Sequence, residues 1–381
     1  MTTAPEAGRA TQGDRSVTLL ETTLRDGAYA VNFQFTARDT ARIASALERV
    51  GFEWIEVGHG LGLGGSRSGA GKAAETDRGY LRAAARALAR ARFGMFCIPG
   101  IATLDDVDMA AEEGMTFIRI GTEVTRVAES EPFIARAKRH GMFVSANFMK
   151  AHVCPPETVA AQARLSSQFG ADLLCIADSA GGMLPEELRA YFAAVRQACD
   201  IPLGFHGHDN LGLAVSNTLG AIDAGAAMVD VCLQGIGRSA GNAASELVVT
   251  SLLKRGMVLP IDLLGLLDIG ARHIRPLMTR RGVDSVDVIS GYAGFHSSHM
   301  AVVRKYARRY RVDRRRLIVQ LCARDRVNAP EALVRRLAQS LSREPLRKRG
   351  RFLFSRSLPR GKRGTSHFSR ERGPSTRRRI G

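Results

Sequence analysis

The runs Thr23-Leu24-Arg25-Asp26-Gly27 and Phe205-His206-Gly207-His208-Asp209-Asn210 hold side chains that could do chemistry together. Asp26, His206 and His208 make a set of one carboxylate and two imidazoles. Such a set suits a divalent ion (Mn, Mg, Fe(II), Co or Zn) and leaves positions open for water or substrate. Arg25, next to Asp26, adds a permanent cation where negative charge could develop. Each residue also has a plainer reading. Asp26 can be a turn former before Gly27, Arg25 an ion-pair partner of Glu21 or Glu56, and either histidine a satisfied core side chain. A lone His-x-His carries little weight; joined to Arg25 and Asp26 at another strand end it carries much more. His206 and His208 reach the same side only if the chain stays extended through Gly207.

The elements that must bring these runs together repeat along the chain. Strand-like runs fall at Val17–Thr22, Trp54–Val57, Gly94–Ile98, Phe117–Ile120, Phe143–Phe148, Leu173–Ala177, Leu203–His206 and Val229–Leu233. Between them, segments such as Ala37–Arg49, Arg78–Arg92, Pro156–Phe169 and Glu186–Ala198 are amphipathic at helical spacing. Short apolar strands alternating with helices predict a parallel sheet, and eight such units predict closure into an α/β (β/α)8 TIM barrel. A doubly wound open sheet is the runner-up. Glycines at 27, 58, 100, 121 and 235 are read as turns after strand ends. The Gly-rich run from Gly58 to Lys72 lacks the GKS or GKT ending of a phosphate-binding loop and is read as covering a mouth. The expected division is a flexible leader (1–15), a barrel (16–261), a C-terminal helical appendage (262–341) and a disordered basic tail (342–381). A loop at Ser290–Ser298 breaks the appendage and is a candidate to reach back over the site.

Composition sets limits on other functions. The chain has 381 residues and a net charge of +18, but 14 Lys or Arg against two Glu between Arg343 and Gly381 give that tail +12 of it. The tail lacks regular aromatic interleaving, so nucleic acid is expected to meet it only non-specifically. Six cysteines fall in no zinc-like or paired spacing. No run of eighteen apolar residues occurs and the start has no signal-peptide pattern, so a cytoplasmic protein without membrane contact is expected.

The motifs TTLRDG, IEVGHG, ADSAGG (177–182), HGHDNLGLAVSNTLGAIDAGA, GIGRSAGN (235–242) and GYAG (291–294) resemble the 4-hydroxy-2-oxovalerate aldolases. These are metal-dependent (class II) pyruvate aldolases, in a superfamily with isopropylmalate synthase and hydroxymethylglutaryl-CoA lyase. The likeness runs from about Val17 to Leu341. It implies a carbon–carbon lyase in which a 4-hydroxy-2-oxoacid chelates a divalent metal, Mn2+ first with Mg2+ or Co2+ as alternatives. Asp26, His206 and His208 would be the protein ligands and Asp26 and His206 would also border the substrate. Arg25 would stabilise the pyruvate enolate, and Ser179 and Tyr292 would contact substrate. It further implies a homo-oligomer and partnership with an aldehyde dehydrogenase that receives the aldehyde.

The chain departs from the family at three places. Tyr29 stands where the family has the histidine that takes the C4 hydroxyl proton, and His296 stands where the appendage loop has its second tyrosine. Either the two residues share proton transfer, with His296 the better base near neutral pH, or Tyr29 only positions an aldehyde of different shape and His296 is an unrelated loop residue. Arg238 replaces a small residue and is read either as an intersubunit ion pair or as a site for a second carboxylate or phosphate on the substrate. The alternatives to an aldolase are a Claisen-type acyl-CoA condensing enzyme and a non-catalytic partner-binding barrel.

Overall fold

The computed structural model describes residues 17–279 and 285–343. The leader over residues 1–15 and all but the first two residues of the expected tail lie outside that range. Strands β1 (Thr18–Glu21), β2 (Trp54–Glu56), β3 (Arg92–Cys97), β4 (Phe117–Glu123), β5 (Phe143–Met149), β6 (Leu173–Asp178), β7 (Leu203–Gly207) and β8 (Met228–Val231) are all parallel. They pair in sequence order, and β8 closes on β1 with Asp230 opposite Leu20. The helices that cover them are α1 (Ala37–Arg49), α2 (Asp77–Ala87), α3 (Leu104–Glu112), α4 (Glu131–Arg139), α5 (Pro156–Gln168), α6 (Pro185–Ala198), α7 (Ala214–Asp223) and α8 (Ser245–Lys254). Their starts are written locally. Thr36 and Thr103 each form a capping box, with Asp39 and Asp106 answering from the third helical position.

Alternation along the strands separates two environments. Outward residues such as Ile55, Ile118, Ile120, Val144, Leu174, Phe205 and Val229 are buried against the helices. Leu20, Phe117, Leu173 and Met228, with Trp54 and Phe143 packed against them, form a separate apolar cluster. Two residues further along five of these strands come Glu56, Arg119, Ser145, Cys175 and Asp230, all buried. One layer of side chains is therefore apolar and the next, toward the C-terminal mouth, holds the charges of Glu56, Arg119 and Asp230.

Helices α9 (Leu263–Ile269), α10 (Ser285–Ala293), α11 (Met300–Tyr310), α12 (Arg314–Cys322) and α13 (Glu331–Ser342) follow. The last four share a core of their own around Phe295, Val303, Leu317, Leu321 and Val334. Gly182, after β6, lies so close to α10 that an added Cβ would sit 2.1 Å from the Gly291 carbonyl oxygen. Two glycines thus let the barrel mouth and appendage touch backbone to backbone.

Three local expectations need correction. Gly121 is inside β4 and not in a turn; an added Cβ would meet the Phe96 ring at 2.3 Å, so the glycine makes room for an aromatic ring. The second helix stops at Ala87 and not at Arg92, whose guanidinium instead opens β3 over the Trp54 ring. Residues 290–293 are the last turn of α10, so the loop is shorter than the expected 290–298. All six cysteines are free thiols. Among the described residues no helix is long and apolar enough to cross a membrane.

Candidate active site

After β1 the chain turns sharply, with the amides of Arg25 and Asp26 both donating to the Thr22 carbonyl at 3.0 and 2.8 Å. This turn aims Asp26 at the end of β7. There the strand stays extended through Gly207, and His208 continues it by bridging to Asn242. Asp26, His206 and His208 each offer a ligand atom within 4.8 Å of the others, and all three are buried. His206 Nε2 is 3.9 Å from Asp26 Oδ2.

The far nitrogen of each imidazole is anchored. His206 Nδ1–H donates to Asp230 Oδ2 at 2.8 Å, and His208 Nδ1–H donates to the Gly241 carbonyl at 3.2 Å. Both Nε2 atoms are therefore unprotonated and face the Asp26 side, the tautomer a metal needs, with that of His208 accepting from Arg238 at 2.8 Å. Burial, the Arg238 cation and His206 hold His208 well below the usual imidazole range, which keeps it a neutral ligand. Burial alone would raise the Asp26 carboxyl, but the Arg25 and Arg238 cations outweigh it and hold the group ionised. The donor set and its protonation fit a divalent ion.

Behind this corner runs a continuous ion-pair chain. Arg25 Nη1 donates to Asp26 Oδ2 at 2.5 Å and its Nε to Glu56 Oε2 at 2.7 Å. The same Glu56 oxygen accepts from Arg119 Nη1 at 2.9 Å, and Arg119 Nη2 reaches Asp230, the partner of His206. Asn242 Nδ2 donates to Asp26 Oδ1 at 2.9 Å. Arg119, Asp230 and Asn242 went unnoticed in the sequence. The available signal was a charge inside an otherwise apolar parallel strand, FIRIG for Arg119 and MVDV for Asp230.

The remaining candidates sit around the mouth at varying depth. Ser179 is buried after β6, its hydroxyl accepting from the Lys150 amide at 2.9 Å. Tyr29 lies in the short helix Asp26–Val31, its ring edge-on to Phe33; burial and Asp26 push its hydroxyl up to about 12 against the pull of Arg238. His296 follows α10, with Nδ1 at 2.7 Å from the Ser298 hydroxyl. Burial and the cations Arg238 and Lys150 hold it well below the usual imidazole range. Tyr292, on the last turn of α10, is 38% exposed. The appendage reaches the site through Ser297, whose hydroxyl accepts from Arg238 Nη1.

Arg238 is the clearest surprise. Its Nη2 donates to His208 Nε2 at 2.8 Å and to the Ser179 carbonyl at 3.1 Å. Its side chain lies in the site, beside His208, Ser179 and Ser297.

The Gly-rich segment after β2 is held shut by His59. That ring accepts the Leu61 amide at Nδ1 and donates from Nε2 to the Gly71 carbonyl at 3.1 Å, stacked on Phe33. His59 is a satisfied structural histidine.

Comparison with known proteins agrees with this geometry. Residues 16–272 match the HMGL-like family and residues 281–343 match the DmpG-like communication domain. A 4-hydroxy-2-oxovalerate aldolase of Moorella thermoacetica is 39% identical over 331 residues, covering 87% of this chain and 98% of the relative. The enzyme of the same name from Carboxydothermus hydrogenoformans is 38% identical, covering 86% and 98%. Among solved structures, the N-terminal domain of a putative aldolase from Bacteroides vulgatus superposes with a TM-score of 0.62 at 24% identity, covering 77% of this chain and 98% of that one. The carboxyl transferase domain of Rhizobium etli pyruvate carboxylase, with pyruvate and biocytin, gives 0.69 at 17% identity, covering 87% and 61%. These two carry the fold alone. On the matched domains and the full-length relatives, the chain belongs to the 4-hydroxy-2-oxovalerate aldolase family.

Proposed function

We propose that the protein is a divalent-metal pyruvate aldolase that cleaves or forms a 4-hydroxy-2-oxoacid. The observation that carries this reading is the convergence of Asp26, His206 and His208, with both imidazoles oriented through Nδ1, beside the Arg25 guanidinium. Asp26, His206 and His208 would hold the ion, with Mn2+ first and Mg2+ or Co2+ as alternatives. When bound, such an ion supplies Lewis-acid polarisation of a 2-oxo group.

The chain supplies the rest. Arg25 stands where the C2 oxygen gains negative charge as the C3–C4 bond breaks, and it is fixed there by Glu56. Ser179 borders the substrate, and Tyr292 and Tyr29 shape the mouth. His296 accepts the C4 hydroxyl proton, so that C4 becomes an aldehyde and the bonding pair passes to C3 as the enolate. Ser298 holds the ring at Nδ1, which lies 2.7 Å from its hydroxyl and accepts its amide N–H at 3.3 Å. To act as the base His296 must move its proton to Nδ1, onto that hydroxyl, and so free Nε2. Catalysis belongs to the barrel (16–261). The appendage (262–341), which overlaps the matched communication domain, would dock a partner, an aldehyde dehydrogenase that consumes the product.

Pyruvate release from 4-hydroxy-2-oxovalerate and from 4-hydroxy-2-oxoglutarate, followed in chelator-stripped protein and after Mn2+ is returned, tests the reading. Turnover that depends on the added ion is expected. Release of no pyruvate under either condition would defeat it.

A further inference from the structure

Arg25, Arg119 and Lys150 each hold a carboxylate within 2.9 Å. Arg238, half-buried at the same mouth, does not: among the described residues no carboxylate lies within ion-pair distance of its guanidinium. Its acceptors are a neutral imidazole nitrogen, a backbone carbonyl and a hydroxyl. One of these, His208 Nε2, is a lone pair the metal site requires, so a loaded site deprives Arg238 of it.

Along the ion-pair chain each cation already faces a carboxylate: Arg25 faces Asp26 and Glu56, and Arg119 faces Glu56 and Asp230. Arg238 adds a further positive charge in a partly buried setting, where an uncompensated ion is costly. We infer that Arg238 receives a second carboxylate, so the 4-hydroxy-2-oxoacid handled by this chain is dianionic and its aldehyde half carries an acid group. The planar guanidinium matches such a group with two parallel hydrogen bonds. This inference rests on the aldolase reading and deepens it to a substrate class.

The pair 2-oxopentanoate and 2-oxoglutarate tests it, because they share chain length and the oxoacid end and differ by the terminal carboxylate. Calorimetric titration of metal-loaded protein is expected to show 2-oxoglutarate binding about tenfold tighter or more. The preference should collapse in R238A and be partly kept in R238K. Equal affinity in the unaltered protein, or a preference that survives in R238A, would overturn the inference while leaving the aldolase reading intact. If neither oxoacid binds, the aldolase reading itself falls and takes the inference with it.

Discussion

The carboxylate of Asp230 accepts the Nδ1 proton of His206 at 2.8 Å while it is paired with the buried Arg119. This contact fixes which imidazole nitrogen faces Asp26. Asp230→Asn keeps the shape but removes the charge that orients and enriches the ring. Divalent-ion affinity should fall about 10- to 100-fold, measured by calorimetric Mn2+ titration. Unchanged affinity would remove Asp230 from the metal site's support.

Arg119 holds two carboxylates, Glu56 and Asp230, inside the barrel. Arg119→Met leaves both charges facing each other, with only Arg25 remaining on Glu56. A loss of about 3–5 kcal/mol in denaturant unfolding is expected, since one partner of a buried ion pair is removed. The double variant Arg119→Met, Glu56→Gln should recover part of it.

The two candidates for proton transfer differ in their pH dependence. Burial and neighbouring cations hold His296 neutral, so its basic form is present at pH 7 and is lost only as pH falls well below 6.5. Retro-aldol kcat/KM should therefore be flat from pH 6.5 upward, with its acid limb below. His296→Ala should lower it about 10²- to 10⁴-fold. Tyr29, pushed up to about 12, would instead make the rate climb throughout the alkaline range. Such a climb, or full activity in His296→Ala, would shift the task away from His296.

His152 ties the barrel to the appendage by donating Nε2–H to the Gly294 carbonyl at 3.1 Å. Burial lowers its pKa to about 4, opposed by that hydrogen bond. A folded-state value below the unfolded 6.5 stabilises the protein above pH 6.5, and this is lost as pH falls from 6.5 toward 4. The melting temperature should drop across this window, on the order of 1–3 kcal/mol being at stake. His152→Gln should flatten that part of the profile.

The strands and the Asp26–His206–His208 cluster were legible because their signals are local. Eight apolar runs at regular spacing encode a barrel, and the types and strand-end positions of Asp26, His206 and His208 encode a candidate ligand set. The Glu56–Arg119–Asp230 chain was not legible, because only the barrel's register sets Arg119 between β2 and β8. Gly121 and Gly291 misled for a related reason. Each reads as a breaker, yet one makes room for Phe96 in a strand and the other lets α10 approach Gly182 and Leu211. Tertiary packing there outweighs a propensity cost near 1 kcal/mol. Arg238 could be flagged by its type, but its direction required the fold.

Exchange of the pyruvate methyl protons for deuterium, followed by proton NMR, isolates the enolate step from any choice of aldehyde. Protein supplied with Mn2+ should catalyse the exchange, chelation should stop it, and Asp26→Asn should lack it even with the ion present. Exchange that continues undiminished in chelator, or in Asp26→Asn, would contradict the assignment of this corner as a metal-dependent pyruvate site.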